Sequence, residues 1–86
     1  MKKSKYLRSE KEMTFGKALD LINNKEKSLA MRLPQWKEDV KIMVQFPDEH
    51  SKMTAPYLYV ESRFGYVPWI PTQIELLSDS WEVISV

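Results

Sequence analysis

The side chains able to do chemistry are few, and their spacing narrows the choice. His50 is the only histidine, set between Glu49 and Ser51 in the polar run 47–51, and there is no cysteine. A general base needs an oriented partner, and this histidine has none nearby in the sequence. One chain cannot supply two histidine ligands to a metal, thiolate zinc sites are excluded, and Asp48-Glu49 reads as a solvated loop. Only Gly16 and Gly65 are available, so neither a P-loop nor a dinucleotide fingerprint exists. The expectation is a protein that is not an enzyme, with no catalytic residues, no metal and no cofactor.

Ligand binding is better provided for. Trp36, Trp69 and Trp81 are many for 86 residues, and so short a chain does not bury all three completely. Trp81 opens an alternating segment and reads as core. Trp69, between Pro68 and Ile70, reads equally as core or interface. Trp36 stands in the polar run Pro34-Gln35-Trp36-Lys37-Glu38-Asp39. An indole there either stacks on a planar ligand, worth about 1–3 kcal/mol for a base, or forms a lid over a sheet. Arg32, four residues earlier, offers a bidentate contact to phosphate or ribose; a surface salt bridge is its alternative. A helix starting at Thr72-Gln73 presents unpaired N–H groups and a positive dipole end, which suit phosphate.

These residues need elements to position them. Phe15, Ala18, Leu19 and Ile22 recur at helical spacing behind an N-cap at Thr14, and Asn23-Asn24 ends the stripe. So short a helix is not stable alone and must pack on something. Residues 28–32 make a short strand, stopped by Pro34. Val40, Ile42, Val44 and Phe46 alternate with Lys41, Met43 and Gln45, the clearest half-buried strand. Tyr57-Leu58-Tyr59-Val60 is another, and Arg63-Phe64-Gly65 bends a hairpin back through Tyr66-Val67. Thr72 with Glu75 makes a capping box, and Trp81, Val83 and Ser85 alternate with Glu82 and Ile84 in a last strand. The fold class is α+β: a small antiparallel sheet, an N-terminal helix and a short second helix, in the order α-β-β-β-α-β.

Length and charge set the outer limits. A chain of 86 residues forms one domain and buries only about 60% of its unfolded surface, so without disulfides it is expected to self-associate. Net charge is +1, which argues against a general DNA or RNA partner. Residues 1–12 carry five cations against two anions and read as a flexible basic arm, ahead of one domain over 13–86. Residues 54–86 carry Arg63 alone against four acids. No apolar run is long enough for a membrane span, and the basic start lacks the apolar segment of a signal peptide, so a cytoplasmic setting is expected.

The pattern resembles a known family. Met13-Thr14-Phe15-Gly16-Lys17-Ala18-Leu19 is similar to the M-T-F-G-x-A-L opening of phage sponge proteins of the second type that counters Thoeris immunity. Ala30-Met31-Arg32 followed by Trp36 resembles that family's A-R-K-G-W segment. Pro56-Tyr57-Leu58, the run 65–77 with its Val67-Pro68-Trp69 and Gln73, and Ser80-Trp81-Glu82-Val83-Ile84 match its later blocks in order. Residues 35–40 depart from it, because glycines are replaced and Glu38 and Asp39 stand beside the indole. The resemblance implies non-enzymatic sequestration of a cyclic nucleotide immune messenger, a cyclic ADP-ribose isomer or a cyclic oligonucleotide. It also implies a homo-oligomer, dimer or tetramer, with pockets between protomers in the host cytoplasm. Carried over by position, Trp36 would stack on adenine and Arg32 would meet phosphate. Thr72 and Gln73 would offer donors, with Phe15 close to the ligand. The competing expectation is a protein–protein interaction module, or a direct inhibitor of a host protein, anchored by exposed aromatics.

Overall fold

The computed structural model describes residues 9–86. Its elements are β1 (Ser9–Met13), α1 (Phe15–Ile22), β2 (Leu29–Arg32), β3 (Lys41–Gln45), β4 (Tyr57–Ser62), β5 (Gly65–Pro68), α2 (Gln73–Leu77) and β6 (Trp81–Ser85). The six strands form one sheet in the order β1-β6-β2-β3-β4-β5, and every neighbouring pair is antiparallel. The class is α+β as expected, but the order is β-α-β-β-β-β-α-β. A strand precedes α1, and the return of the β4–β5 hairpin is a full strand.

Residues 9–12 fall outside the expected arm and inside β1; the earlier part, residues 1–8, lies outside the described residues. The physical reason is the open edge of β6, whose backbone groups need partners. Ser9 pairs with Ile84 and Glu10 with Val83, then one extra residue intervenes before Met13 meets Trp81. Glu12 takes up that bulge at φ 61°, a left-handed conformation uncommon for a non-glycine residue. Met13 is the apolar anchor of the strand and is buried.

Helix α1 forms as its sequence requires. Thr14 Oγ1 accepts from the Lys17 N–H at 3.2 Å, and Phe15, Ala18 and Ile22 turn their stripe onto β2 and β6. Met31 pairs with both Ile42 and Val83, so these three residues make one buried row across β3, β2 and β6. β6 is not the one-sided strand that its alternation implied. Trp81, Glu82, Val83 and Ile84 are all buried: β1 and β2 pair both edges of β6, and residues pointing to either face of it are shielded.

The other side of the sheet is sparser. Gly65 sits at φ +115° just after the Arg63-Phe64 turn, a backbone state that a side chain would strain. Helix α2 carries the expected capping box: Thr72 Oγ1 accepts from Glu75 N–H at 3.2 Å, and Thr72 N–H donates to Glu75 Oε1 at 2.8 Å. No residue of α2 is buried.

Candidate functional site

An aromatic cluster forms where α1, α2, β6 and the loop 33–40 meet. Trp81 is fully buried at its centre. Phe15 meets it edge-on at 5.5 Å and Trp36 meets it at 5.3 Å with an 89° angle between planes. Trp69 stands edge-on to both Trp36 and Trp81, at 6.3 and 6.2 Å. Such T-shaped pairs fix ring orientation and add about 0.5–1.5 kcal/mol each beyond area burial. The Trp81 indole N–H donates to the Glu75 carbonyl at 2.8 Å, tying α2 to the cluster by its backbone.

The sequence-derived residues fall around this cluster in different ways. Phe15 is buried in the wall. Trp36 and Trp69 are intermediate in exposure, and both pack against the core. Trp36 meets Trp81 and Trp69 edge-on despite the polar residues around it in sequence. Thr72 and Gln73 are exposed at the start of α2. The Thr72 amide is already bonded to Glu75, so the capping box occupies part of the donor set expected to greet phosphate.

Arg32 faces inward. Its guanidinium, expected to meet a ligand phosphate, turns instead on the chain itself. Nη1 donates to Glu82 Oε2 at 3.0 Å, Nη2 to the carbonyls of Trp36 and Lys37 at 2.8 and 2.7 Å, and Nε to that of Val40 at 3.2 Å. Arg32 and Glu82 are both buried and directly paired across β2 and β6. Four of the five N–H donors are engaged, so the side chain has little left to offer a ligand. Asp39, one of the two acids beside Trp36, is drawn to the β4–β5 turn: its Oδ2 accepts the Arg63 N–H at 2.9 Å. That bond is the main cause holding its carboxyl below the ordinary 3.8.

Sequence reasoning missed a second feature. A shallow concavity of about 660 Å³ opens on the sheet face away from α1, floored by Met43, Tyr57, Tyr59 and Tyr66. The register explains it. Met43 pairs with Tyr59 and Gln45 with Tyr57, while Glu61 lies between Lys41 and Tyr66, so their side chains share one face. Tyr59 and Tyr66 meet edge-on at 5.8 Å, and Lys41 and Glu61 neutralise each other at 3.7 Å. The signal was present as the second phase of the β3 and β4 alternation, and it was hidden because that phase reads as solvated.

Among the described residues, no group of three or more His, Cys, Asp or Glu could hold a metal ion. His50 is exposed beside Glu49. No described helix is long and apolar enough to cross a membrane. The cluster thus places two partly exposed indoles near the exposed Thr72 and Gln73 at the start of α2.

Comparison with curated proteins returns no match. The family model described as the Thoeris anti-defense 2-like domain matches residues 13–84. That span runs from the end of β1 into β6 and contains every ring of the cluster. By it, the chain belongs to the Thoeris anti-defense 2-like family.

Proposed function

We propose that the chain binds a cyclic nucleotide immune messenger, a cyclic ADP-ribose isomer or a cyclic oligonucleotide, and withholds it from its effector without cleaving it. The observation that carries this reading is the partly exposed Trp36–Trp69 pair, packed edge-on against Trp81, with Phe15 against Trp69 and Trp81. A preorganised aromatic edge stacks on a purine with little ordering cost. Trp36 is the stacking surface, and Phe15 lies close by behind Trp69 and Trp81. The Thr72 hydroxyl and the Gln73 amide reach outward as donors. Membership in a Thoeris anti-defence family gives such capture a purpose, and the cytoplasm of the host cell is where the messenger would be met.

Association of copies is part of the proposal. Ile70 is 86% exposed just ahead of α2, and Ile74 and Leu77 are 83% and 81% exposed on that helix, none of whose residues is buried. A five-residue helix has no stability of its own, and aliphatic exposure of this density marks a surface awaiting cover. A homo-oligomer, dimer or tetramer, would cover it and turn the open aromatic edge into a pocket between protomers.

The test is recovery. The protein is incubated with each messenger, separated, heat-denatured, and the released molecule compared with the starting material. Intact ligand is expected. Altered product would mean an enzyme, and no uptake of any messenger would defeat the capture reading. A second reading, a module that docks on a host protein, is favoured by the tyrosine-floored concavity, since tyrosine is enriched where interfaces concentrate their energy. Absence of messenger uptake together with a stable complex on one host protein would establish it.

A further inference from the structure

We propose that Arg32 and Glu82 form a positioning clamp that sets the loop 33–40, and through it the angle at which the Trp36 ring stands. This rests on the reading of Trp36 as the stacking surface, and it concerns residues that do not themselves touch the ligand. The guanidinium reaches both ends of the loop's exposed arc: Nη2 binds the carbonyls of Trp36 and Lys37, and Nε binds that of Val40. Local turns complete the frame, with Trp36 N–H donating to Leu33 O and Val40 N–H to Lys37 O. Glu82 fixes the fourth direction from β6, the strand whose preceding residue is Trp81. One side chain thus references the Trp36 backbone to the strand that carries the ring Trp36 packs against.

Burying this pair needs a reason beyond stability. A buried ion pair is often matched or bettered by apolar residues of similar volume, because desolvating the charges offsets their attraction. Its use here is geometric. Only a planar fork can hold three carbonyls and a carboxylate in fixed directions at once, and an ammonium cannot. Among the described residues no buried side-chain nitrogen or oxygen is left without a partner, the three guanidinium nitrogens included.

The experiment is a double substitution, Arg32→Met with Glu82→Leu, which removes the clamp and leaves no orphan charge. The protein is expected to remain folded, with a melting temperature lowered because the Trp36, Lys37 and Val40 carbonyls lose their donor. Near-ultraviolet circular dichroism is expected to lose the coupling signal of the Trp36–Trp81 pair. The Trp36 and Val40 amides should exchange at least tenfold faster, with Ile42 and Val83 unaffected. Retention of the coupling signal and of loop protection in the folded variant would overturn the proposal. Should the double variant not fold, Arg32→Lys answers instead, since it keeps the counter-charge of Glu82 and loses the fork. The same loop-specific loss is expected, and an undisturbed loop overturns the clamp. If neither variant folds, the pair is a stability element and the proposal is rejected. These readouts need no ligand, so failure of the capture reading shows separately, as unaltered protein that takes up no messenger.

Discussion

Strands β6 and β5 belong to the same sheet and are treated in opposite ways. β6 lies between β1 and β2 and buries Trp81 through Ile84 on both faces, including the charge of Glu82. β5 is an edge, and Tyr66 and Val67 on it are 70% and 56% exposed. The α2 segment that follows β5 continues the exposure with Ile74 and Leu77. Apolar side chains are present at both ends, so composition does not explain the contrast. What differs is whether the monomer supplies the cover. Over β6, α1 and the aromatic cluster do, and folding is secured there. The outward side chains of β5, and those of α2 although its backbone is tied to Trp81, have no such cover among the described residues.

Breaking the β6 end should have the largest effect. Trp81→Ala removes a fully buried ring that contacts Phe15, Trp36 and Trp69 and anchors α2. A loss of about 3–5 kcal/mol is expected, a large share of a small domain's stability, read by chemical denaturation. Survival of cooperative unfolding with a loss under about 1 kcal/mol would put the core elsewhere.

The β5 and α2 end should respond in a different quantity. Ile74→Ser with Leu77→Ser is expected to change the stability of the isolated chain by no more than about 0.5 kcal/mol, because neither side chain is buried in it. Light scattering should show a fall in assembly size, and the concentration dependence of melting should disappear. Unchanged assembly would separate this surface from association.

A smaller effect links the two regions. Asp39, in the loop beside Trp36, accepts the Arg63 N–H of the β4–β5 turn, and its carboxyl is held below 3.8 chiefly by that bond. A depressed carboxylate stabilises the fold above its unfolded value, and the contribution is lost as pH falls through the folded value. The Arg63 amide resonance should therefore move with Asp39 ionisation at pH below 3.8, without global unfolding. An Arg63 amide indifferent to acid would show that the turn is held by the hairpin alone.

Much of this frame was legible in the residues. The Phe15, Ala18, Leu19 and Ile22 stripe and the Thr72 and Glu75 capping box are local patterns that formed as read, while the β3 alternation holds over 41–45 with only Ile42 fully buried. β1 was not legible, because Lys11 and Glu12 look solvated and the strand exists to satisfy a β6 edge far away in sequence. The two-sided burial of β6 was hidden by Glu82, whose charge is tolerated only because Arg32 meets it from β2. For the site, the residue types were readable and their meeting was not. Nothing near Trp36 in sequence announces Trp81, and nothing near Arg32 announces that its fork faces inward.

In the proposed function, the Trp36 ring carries ligand affinity where it packs against Trp81 and Trp69. Isothermal titration of the intact protein and of Trp36→Ala with the messenger that the recovery assay identifies tests it most directly. The substitution is expected to weaken binding by about 1–3 kcal/mol while the protein stays folded. Equal affinity in the two folded proteins would contradict the account.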